Sequence, residues 1–158
     1  MRVLIVGGTG NISTAITTEL LRRGDEVTHF NTGKRKPPEF VGKVRTIIGD
    51  RTKHAAFEAA LAEERFDCVI DMIGYEPEDA QSDVRTFAGR TGQFIFCSTV
   101  DVYTKPAKRL PIREDEERNP SPAFAYAYKK AICENTLLAA AERGAFPLTI
   151  VRPAATYN

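Results

Sequence analysis

The sequence has little net charge, few cysteines and histidines, and no long apolar run. Over 158 residues the formal net charge is +1, which creates no field that would gather nucleic acid, and we expect no nucleic-acid partner. The first apolar run is interrupted by Gly7 and Gly8, too early for a signal-peptide core, and no stretch approaches membrane-spanning length. The composition therefore predicts one globular domain without a membrane association, for which the cytoplasm is the simplest location.

The cysteines and histidines do not form a metal-binding pattern. Cys68, Cys97 and Cys133 are odd in number and lack metal-ligand spacing. Two of them fall in predicted strands, so we expect buried, reduced thiols. His29 and His54 are isolated, and a core or surface role is the simpler interpretation of each. We expect no metal site.

What the sequence does contain is a strand, a glycine-rich turn and a helix at its start. Residues 3–6 are a continuous apolar run, residues 7–13 read Gly-Gly-Thr-Gly-Asn-Ile-Ser, and apolar residues then return at helical spacing. Such a turn brings backbone N–H groups and a helix N-terminus together, and both attract the pyrophosphate of a dinucleotide. Gly7 would allow the tight turn and Gly10 the approach of the phosphates, while Ser13 stands where a third small residue would pack the helix on the strand.

This unit predicts dinucleotide binding, with a plain turn as the alternative. The candidate contacts in the turn are Gly7, Gly10, Asn11 and Ile12.

Apolar strands alternate with helices along the rest of the chain. Strands are predicted at 3–6, 26–31, 44–48, 66–74, 93–97 and 148–152. Helices are predicted at 11–23, 54–64, 77–88 and 126–143. Nearly continuous apolar strands separated by helices predict an α/β fold, a Rossmann-like doubly wound parallel sheet of order 3-2-1-4-5-6 with helices on both faces. The long loop at 104–123, rich in proline and charge, is expected to be functional.

The end of the second strand indicates which dinucleotide is bound. An acid at that position accepts a hydrogen bond from the ribose 2′-hydroxyl of NAD, whereas basic residues accommodate the 2′-phosphate of NADP. Here the residue is Asn31, and the cations Lys34, Arg35 and Lys36 follow. We therefore predict NADP, contacted by Asn31, Lys34 and Arg35, with NAD as the alternative. A solvated basic loop would have the same sequence.

Two later loops offer further cofactor contacts. Asp50 and Arg51 follow the third strand and could flank the adenine, or Asp50 could only cap the next helix, and both interpretations stay open. Gly74 follows the fourth strand, where the lack of a side chain would let the backbone approach the cofactor.

Two stretches carry groups suited to chemistry. Residues 97–103, Cys-Ser-Thr-Val-Asp-Val-Tyr, begin at the carboxyl end of the fifth strand, where ligands bind in open α/β sheets. Tyr126 and Lys130 lie four residues apart and share one helical face. A nearby ammonium favours the phenolate, so we expect Lys130 to lower the pKa of Tyr126 from about 10 and to make it a general acid/base. A surface pair without a role is the alternative.

Together these residues resemble the NAD(P)-dependent epimerase/dehydratase family, the extended short-chain dehydrogenase/reductases, along the whole chain. The matching segments are 7–12, 49–50, 94–99, 102–103, 126–130, 151–153 and Tyr157. The resemblance implies that Tyr126 is the acid/base, that Lys130 also binds the nicotinamide ribose, and that Thr99, or as second choice Ser98, hydrogen-bonds the substrate oxygen. It further implies an NAD(P)-dependent epimerase, dehydratase or reductase that moves a hydride to or from a small carbonyl or hydroxyl substrate such as a nucleotide sugar.

The sequence also departs from the family pattern. Ser13 stands where the family usually has glycine, Asn31 where it usually has aspartate, and the Asn-Val-x-Gly-Thr motif has only a poor counterpart at Asp83-Val84. The family continues into a C-terminal substrate domain, so we expect residues 1–158 to be the cofactor-binding portion of a longer enzyme, with little activity alone. A non-catalytic NADP-binding sensor of the same fold is the rival interpretation.

Relatives often dimerise through helices. The face formed by Ala131, Leu138 and Ala141 could serve a homodimer here, although core packing explains these residues as well.

Overall fold

The structure is a computed structural model that describes residues 1–35, 37–144 and 146–156. Lys36 and Tyr157, which figure in the predictions above, lie outside these residues. The strands are β1 (Arg2–Val6), β2 (Glu26–Asn31), β3 (Arg45–Ile48), β4 (Phe66–Asp71), β5 (Thr91–Cys97) and β6 (Leu148–Val151). The helices are α1 (Asn11–Arg22), α2 (His54–Ala60), α3 (Pro77–Phe87) and α4 (Ala125–Glu142), with 3₁₀ turns at Pro38–Phe40 and Val100–Val102.

The strands form one parallel sheet in the order β3-β2-β1-β4-β5-β6. The predicted fold class and strand order are confirmed. The chain winds outward from β1 in one direction to β3 and in the other to β6. The carboxyl ends of β1 and β4 therefore lie at the point where the winding reverses, which is where open α/β sheets bind ligands.

Helices cover both faces of the sheet and enclose two apolar cores. In β1, Leu4 and Val6 belong to the core under α2, α3 and α4, while Val3 and Ile5 belong to the core under α1. Because successive side chains of a strand point to opposite faces, a strand covered on both faces must be apolar throughout. This explains the continuous apolar run at the start of the chain.

Three predicted boundaries differ from the structure by two residues or more. The helix predicted to reach residue 64 ends at Ala60 and continues as tight turns, and β5 begins two residues early at Thr91. The strand predicted to run to residue 74 ends at Asp71. There the Asp71 carboxylate accepts a hydrogen bond from the backbone N–H of Ile73 (2.8 Å), a local turn that takes the chain out of the sheet.

The isolated histidines and cysteines have ordinary structural environments. His29 is buried, its Nε2 lies 2.9 Å from Thr17 Oγ1, and burial lowers its pKa to about 4. The three thiols are free, with Cys68 and Cys133 buried and Cys97 half-buried. Among the described residues, no group of three or more His, Cys, Asp or Glu side chains is placed to hold a metal ion.

Two further expectations concern surfaces. No helix in the described part of the chain is long and apolar enough to cross a membrane. Ala131 packs in a small core with Val102 and Tyr103, whereas Leu138 and Ala141 are half-buried. Core packing therefore accounts for Ala131, and dimerisation through α4 stays a prediction.

Candidate active site

The glycine-rich turn links β1 to α1 and is held closed by Ser13. Gly7 has a φ of +87°, and a Cβ there would lie 2.6 Å from Ile73 Cγ2, so only glycine fits. The Ser13 hydroxyl accepts a hydrogen bond from Gly10 N (2.8 Å) and donates one to Gly7 O (2.8 Å). Ser13, which interrupts the glycine spacing, therefore links Gly7 and Gly10 across the turn by hydrogen bonds. This role does not follow from its small size alone.

Two adjoining cavities open at the carboxyl edge of the sheet, and both are lined by Gly7, Gly10, Ile73 and Tyr75. The first has a volume of about 360 Å³, and its lining also includes Asn11, Ile12, Ser98, Thr99, Tyr126 and Lys130. The second has a volume of about 520 Å³, and its lining also includes Asn31, Arg35, Asp50 and Arg51. The two cavities meet at the glycine turn, and we refer to the two together as the crevice.

Lys34 and Gly74 are the two predicted cofactor contacts that do not belong to the lining of either cavity. Lys34 is exposed on the loop after β2. At Gly74, a Cβ would lie 2.4 Å from Asp71 Oδ2 and 3.0 Å from Phe96. The glycine is therefore required by the close approach of these two side chains, a reason independent of any cofactor.

Arg51 belongs mainly to the interior. Only 4% of the residue is exposed, its Nη2 lies 2.8 Å from Asp83 Oδ1, and it donates a hydrogen bond to Asp79 O at 2.6 Å. Burial opposes its charge, but the carboxylates of Asp83, Asp71 and Asp79 raise the pKa of Arg51 further. The sequence predicts that Arg51 flanks the adenine, but in the structure Arg51 contributes only to the wall of the second cavity.

Asp50 caps a turn and does not cap the helix. Its carboxylate accepts hydrogen bonds from Thr52 N (3.0 Å) and Thr52 Oγ1 (2.8 Å), and these, ahead of the nearby Lys53 and Lys34, lower the pKa of Asp50. Helix α2 begins later, with Lys53 as its N-cap and no side-chain cap. Of the two interpretations left open above, helix capping is wrong, and a cofactor contact stays a prediction.

The hydroxyl groups after β5 are held in a 3₁₀ turn. Thr99 is the N-cap of this turn, and its Oγ1 accepts a hydrogen bond from Asp101 N (3.2 Å). Ser98, the second choice, is also buried and lines the same cavity. Both hydroxyls therefore stay candidates, with Thr99 nearer the surface.

Tyr126 stands at the mouth of the crevice, 43% exposed, beside the rings of Tyr75 and Phe124. Partial burial is the main cause that raises its pKa, while the neighbouring Thr99 hydroxyl has a smaller, opposite effect. The sequence predicts a lowered pKa, and the structure differs because Lys130 directs its ammonium elsewhere. In this arrangement the phenol is protonated at neutral pH.

Lys130 is only 1% exposed and reaches under the crevice from α4. Its Nζ donates a hydrogen bond to Cys97 O (2.6 Å) and lies 4.5 and 4.8 Å from the ring centroids of Phe96 and Tyr75. Burial lowers the pKa of Lys130, and the Asp71 carboxylate is the largest of the influences that raise it. Tyr126 and Lys130 line the same cavity, but Lys130 is buried whereas Tyr126 is exposed.

Glu134 is a buried charged residue of α4 that the sequence does not single out, and it lines neither cavity. It is fully buried on α4, accepts hydrogen bonds from Arg152 Nε (2.8 Å) and Nη2 (2.9 Å), and is paired with Arg118. Burial opposes its charge, yet these bonds hold the pKa of Glu134 below its ordinary value. The signal was available, because Glu134 follows Lys130 by four residues on the inward stripe of α4.

The sequence model of the NAD dependent epimerase/dehydratase family matches residues 3–157. The chain belongs to this family. The relatives of this epimerase/dehydratase-family chain include the chloroplast stem-loop binding protein of 41 kDa b from Arabidopsis thaliana, which is 30% identical over 131 residues. They also include the 2′-dehydrokanamycin reductase of Streptomyces kanamyceticus, which is 29% identical over 158 residues.

The chain spans less than half the length of these curated relatives. The match with the Arabidopsis protein covers 75% of this chain and 34% of the relative, and the match with the reductase covers 100% and 44%.

Solved structures confirm the fold of this family member. The UDP-glucose 4-epimerase of Brucella ovis in complex with NAD has a TM-score of 0.76 at 23% identity, over 96% of this chain and 51% of that one. The NAD complex of dTDP-glucose 4,6-dehydratase from Bacillus anthracis has a TM-score of 0.74 at 16% identity, over 96% and 54%.

Proposed function

We propose that this chain forms the dinucleotide-binding part of an NADP-dependent enzyme that acts on a carbonyl or hydroxyl carbon of a small molecule. The observation that supports this most directly is that the glycine turn, Thr99, Tyr126 and Lys130 line one cavity. These groups come from three separate parts of the chain and meet at the sheet edge where such folds bind ligands. One crevice therefore offers backbone N–H groups for phosphates next to groups that exchange protons.

The loop after β2 supports NADP over NAD. The Oδ1 atom of Asn31 accepts a hydrogen bond from Gly33 N (2.8 Å), so the remaining group of the amide is its Nδ2 donor. A 2′-phosphate only accepts hydrogen bonds, whereas a 2′-hydroxyl in an NAD site is matched by a carboxylate acceptor. Arg35 lines the same cavity and would add a positive charge to the phosphate site.

We assign the chemical roles to three side chains. When bound, the nicotinamide supplies or accepts the hydride. Tyr126 Oη donates a proton to the substrate carbonyl oxygen during reduction and takes it back from the hydroxyl during oxidation, while Thr99 Oγ1 hydrogen-bonds the same oxygen. Lys130 would bind the ribose hydroxyls; because its ammonium is held at Cys97 O, it does not lower the pKa of Tyr126 in this structure. The phenol is protonated at neutral pH, so it can act as the acid in the reductive direction.

A nucleotide sugar is the substrate class that we propose. The UDP-glucose 4-epimerase of Lactobacillus helveticus is 28% identical over 140 residues, 76% of this chain and 42% of the relative. The substrate domain expected from the family resemblance stays a prediction.

Replacement of Tyr126 by Phe tests this function. A panel of carbonyl and hydroxyl compounds, nucleotide sugars included, would be incubated with NADPH or NADP⁺ and the longer protein that the family resemblance predicts, and the nicotinamide absorbance would be followed. We expect Tyr126→Phe to lower turnover by about 100-fold or more with little change in NADP⁺ affinity. Tyr128→Phe, a matched change two residues along the same exposed helix end, should turn over like the wild type. Full turnover by Tyr126→Phe would overturn the assignment.

The rival function is a non-catalytic NADP-binding module. One observation favours it: the Arabidopsis relative is named for stem-loop binding and not for a reaction. In this chain, however, cations of the long loop are paired with carboxylates, as in Lys108 with Glu117 and Arg109 with Glu116. NADP⁺ binding without turnover of any compound in the panel, measured on the longer protein that the family resemblance predicts, would favour the module over the enzyme.

A further inference from the structure

Tyr75 stands where the two cavities of the crevice adjoin. It lies in the turn between β4 and α3, and its side chain contributes to the lining of both cavities. The residue is 47% exposed, so its ring belongs to the surface of the crevice and not to the apolar cores. Neither the glycine turn nor the chemistry proposed above uses this side chain.

The Tyr75 ring contacts the two side chains of α4 that line the first cavity. Lys130 Nζ lies 4.8 Å from the centroid of the Tyr75 ring, within the range at which the face of a ring attracts a cation. The centroid of the Tyr126 ring is 6.3 Å away, with the two planes inclined at 51°, a common arrangement of packed aromatic rings. One ring therefore lies against both the exposed phenol and the buried ammonium.

The Lys130 ammonium is held largely by aromatic rings. It is 1% exposed and donates one hydrogen bond, to Cys97 O (2.6 Å). The Phe96 ring at 4.5 Å and the Tyr75 ring at 4.8 Å provide further contacts, and a cation that has lost its hydration gains more from a ring than one at the surface does. Phe96 is fully buried in the core, so Tyr75 is the ring contact on the side of the crevice.

The turn that carries Tyr75 is fixed from both neighbouring helices. On α3, Asp79 Oδ2 accepts hydrogen bonds from Tyr75 N and Glu76 N, both at 3.0 Å, while Asp79 Oδ1 lies 2.8 Å from His54 Nε2. On α4, Lys129 Nζ is paired with Glu76 Oε1 at 2.7 Å. A ring on such a backbone is in place before a ligand arrives, which lowers the entropy lost on binding.

We propose that Tyr75 is a positioning residue for the nicotinamide half of the dinucleotide: the face of its ring holds the Lys130 ammonium at the first cavity. The inference rests on the proposed function, in which the nicotinamide half lies beside Lys130 and the adenosine half beside Asn31 and Arg35. Because the contact joins a cation to a ring face, the ring and not the hydroxyl is the part of Tyr75 that acts.

Phe124 provides a matched control. It is 47% exposed, as Tyr75 is, and its ring centroid lies 6.1 Å from that of Tyr126. Phe124 is the N-cap residue of α4 and lines neither cavity. Phe124→Leu therefore removes an exposed ring beside Tyr126 and leaves the ring contacts of Lys130 in place.

A comparison of two nucleotides distinguishes positioning of the ammonium from a general effect on the structure. NADP⁺ would occupy both cavities. Adenosine 2′,5′-bisphosphate carries the adenosine and the 2′-phosphate without the nicotinamide half, so it would occupy the second cavity alone. Loss of the Lys130 position should weaken only NADP⁺, whereas damage to the crevice or the fold should weaken both. Calorimetric titration of the 158-residue chain measures the two dissociation constants.

We expect Tyr75→Leu to weaken NADP⁺ binding by about tenfold and to leave the affinity for adenosine 2′,5′-bisphosphate close to that of the wild type. Tyr75→Phe retains the ring face and should restore NADP⁺ binding. Phe124→Leu should bind both nucleotides as the wild type does. In a Lys130→Met background, Tyr75→Leu should cause no further loss, because the ring then has no ammonium to hold.

Three results would overturn the inference while the wild type still binds NADP⁺: an unchanged NADP⁺ affinity in Tyr75→Leu, equal losses for the two nucleotides, or equal losses in Tyr75→Phe and Tyr75→Leu. The second would make Tyr75 a structural part of the crevice, and the third would assign the effect to its hydroxyl. Absence of NADP⁺ binding by the wild type would instead refute the proposed function itself.

Discussion

At the scale of single residues, the crevice is maintained by polar side chains that the glycine pattern does not show. The Ser13 hydroxyl joins Gly7 and Gly10 across the turn, and the Asp71 carboxylate ends β4 beneath it. Each is buried, so each hydrogen bond replaces one that water would otherwise make. These side chains fix the backbone N–H groups before any ligand arrives, which lowers the entropy lost on binding.

Removal of the Ser13 hydroxyl should destabilise the protein. Ser13→Ala leaves the partly buried N–H of Gly10 without its acceptor, and we expect a loss of about 1–3 kcal/mol in the free energy of unfolding. Urea denaturation measures this loss. Thr18→Ala removes a hydroxyl from the exposed side of the same helix and should change stability by about 0.5 kcal/mol or less. Equal losses in the two variants would show that the turn does not depend on Ser13.

The buried imidazole of His29 predicts a pH dependence of stability. Its pKa is about 4 in the folded protein, against 6.5 when unfolded, so between these values the unfolded chain binds more protons and stability falls as the pH is lowered. From about pH 7.5 to about pH 5 this group should cost about 2 kcal/mol. Urea denaturation of the wild type and His29→Gln at both pH values isolates this effect. An equal loss in both proteins would contradict it.

At the scale of single elements, the NADP preference that we propose for the loop after β2 rests on few atoms. Asn31 uses its oxygen to hold Gly33, and an aspartate there would place a second acceptor and a negative charge in the cavity. We expect Asn31→Asp to move the ratio of NADP⁺ to NAD⁺ affinity at least about tenfold towards NAD⁺, which is about 1.4 kcal/mol. Calorimetric titration measures both affinities. The same change at the exposed Asn135 of α4 should leave the ratio as it is, and no shift in Asn31→Asp would refute the interpretation of the loop.

Helix α4 is unusual because its inward face carries charge. Glu134 holds Arg152 at the end of the sheet and Arg118 at the end of the long loop. Glu134→Gln would leave both guanidinium groups without their counter-charge, and we expect a loss of about 3 kcal/mol in the free energy of unfolding. Thermal and urea denaturation would detect it. Glu19→Gln, at a fully exposed pair with Arg22, should be close to neutral, and a neutral Glu134→Gln would contradict this role.

At the scale of the whole molecule, strand order and the position of the crevice were predictable from the sequence, whereas the network beneath the crevice was not. Continuous apolar strands and a turn between β1 and α1 determine the winding, and the winding determines which loops meet. Burial of Lys130 and the interior position of Arg51 depend on contacts between α3, α4 and the sheet that are distant in sequence. The raised pKa of Tyr126 follows mainly from its own partial burial, which spacing along one helix cannot show.

The central claim is that the crevice binds a dinucleotide and prefers NADP. The most direct measurement is a calorimetric titration of the 158-residue chain with NADP⁺ and, separately, with NAD⁺. We expect a single site with tighter binding of NADP⁺, because Asn31 and Arg35 face the cavity at the end of β2. Tighter binding of NAD⁺ would refute the preference, and binding of neither nucleotide would contradict the central claim.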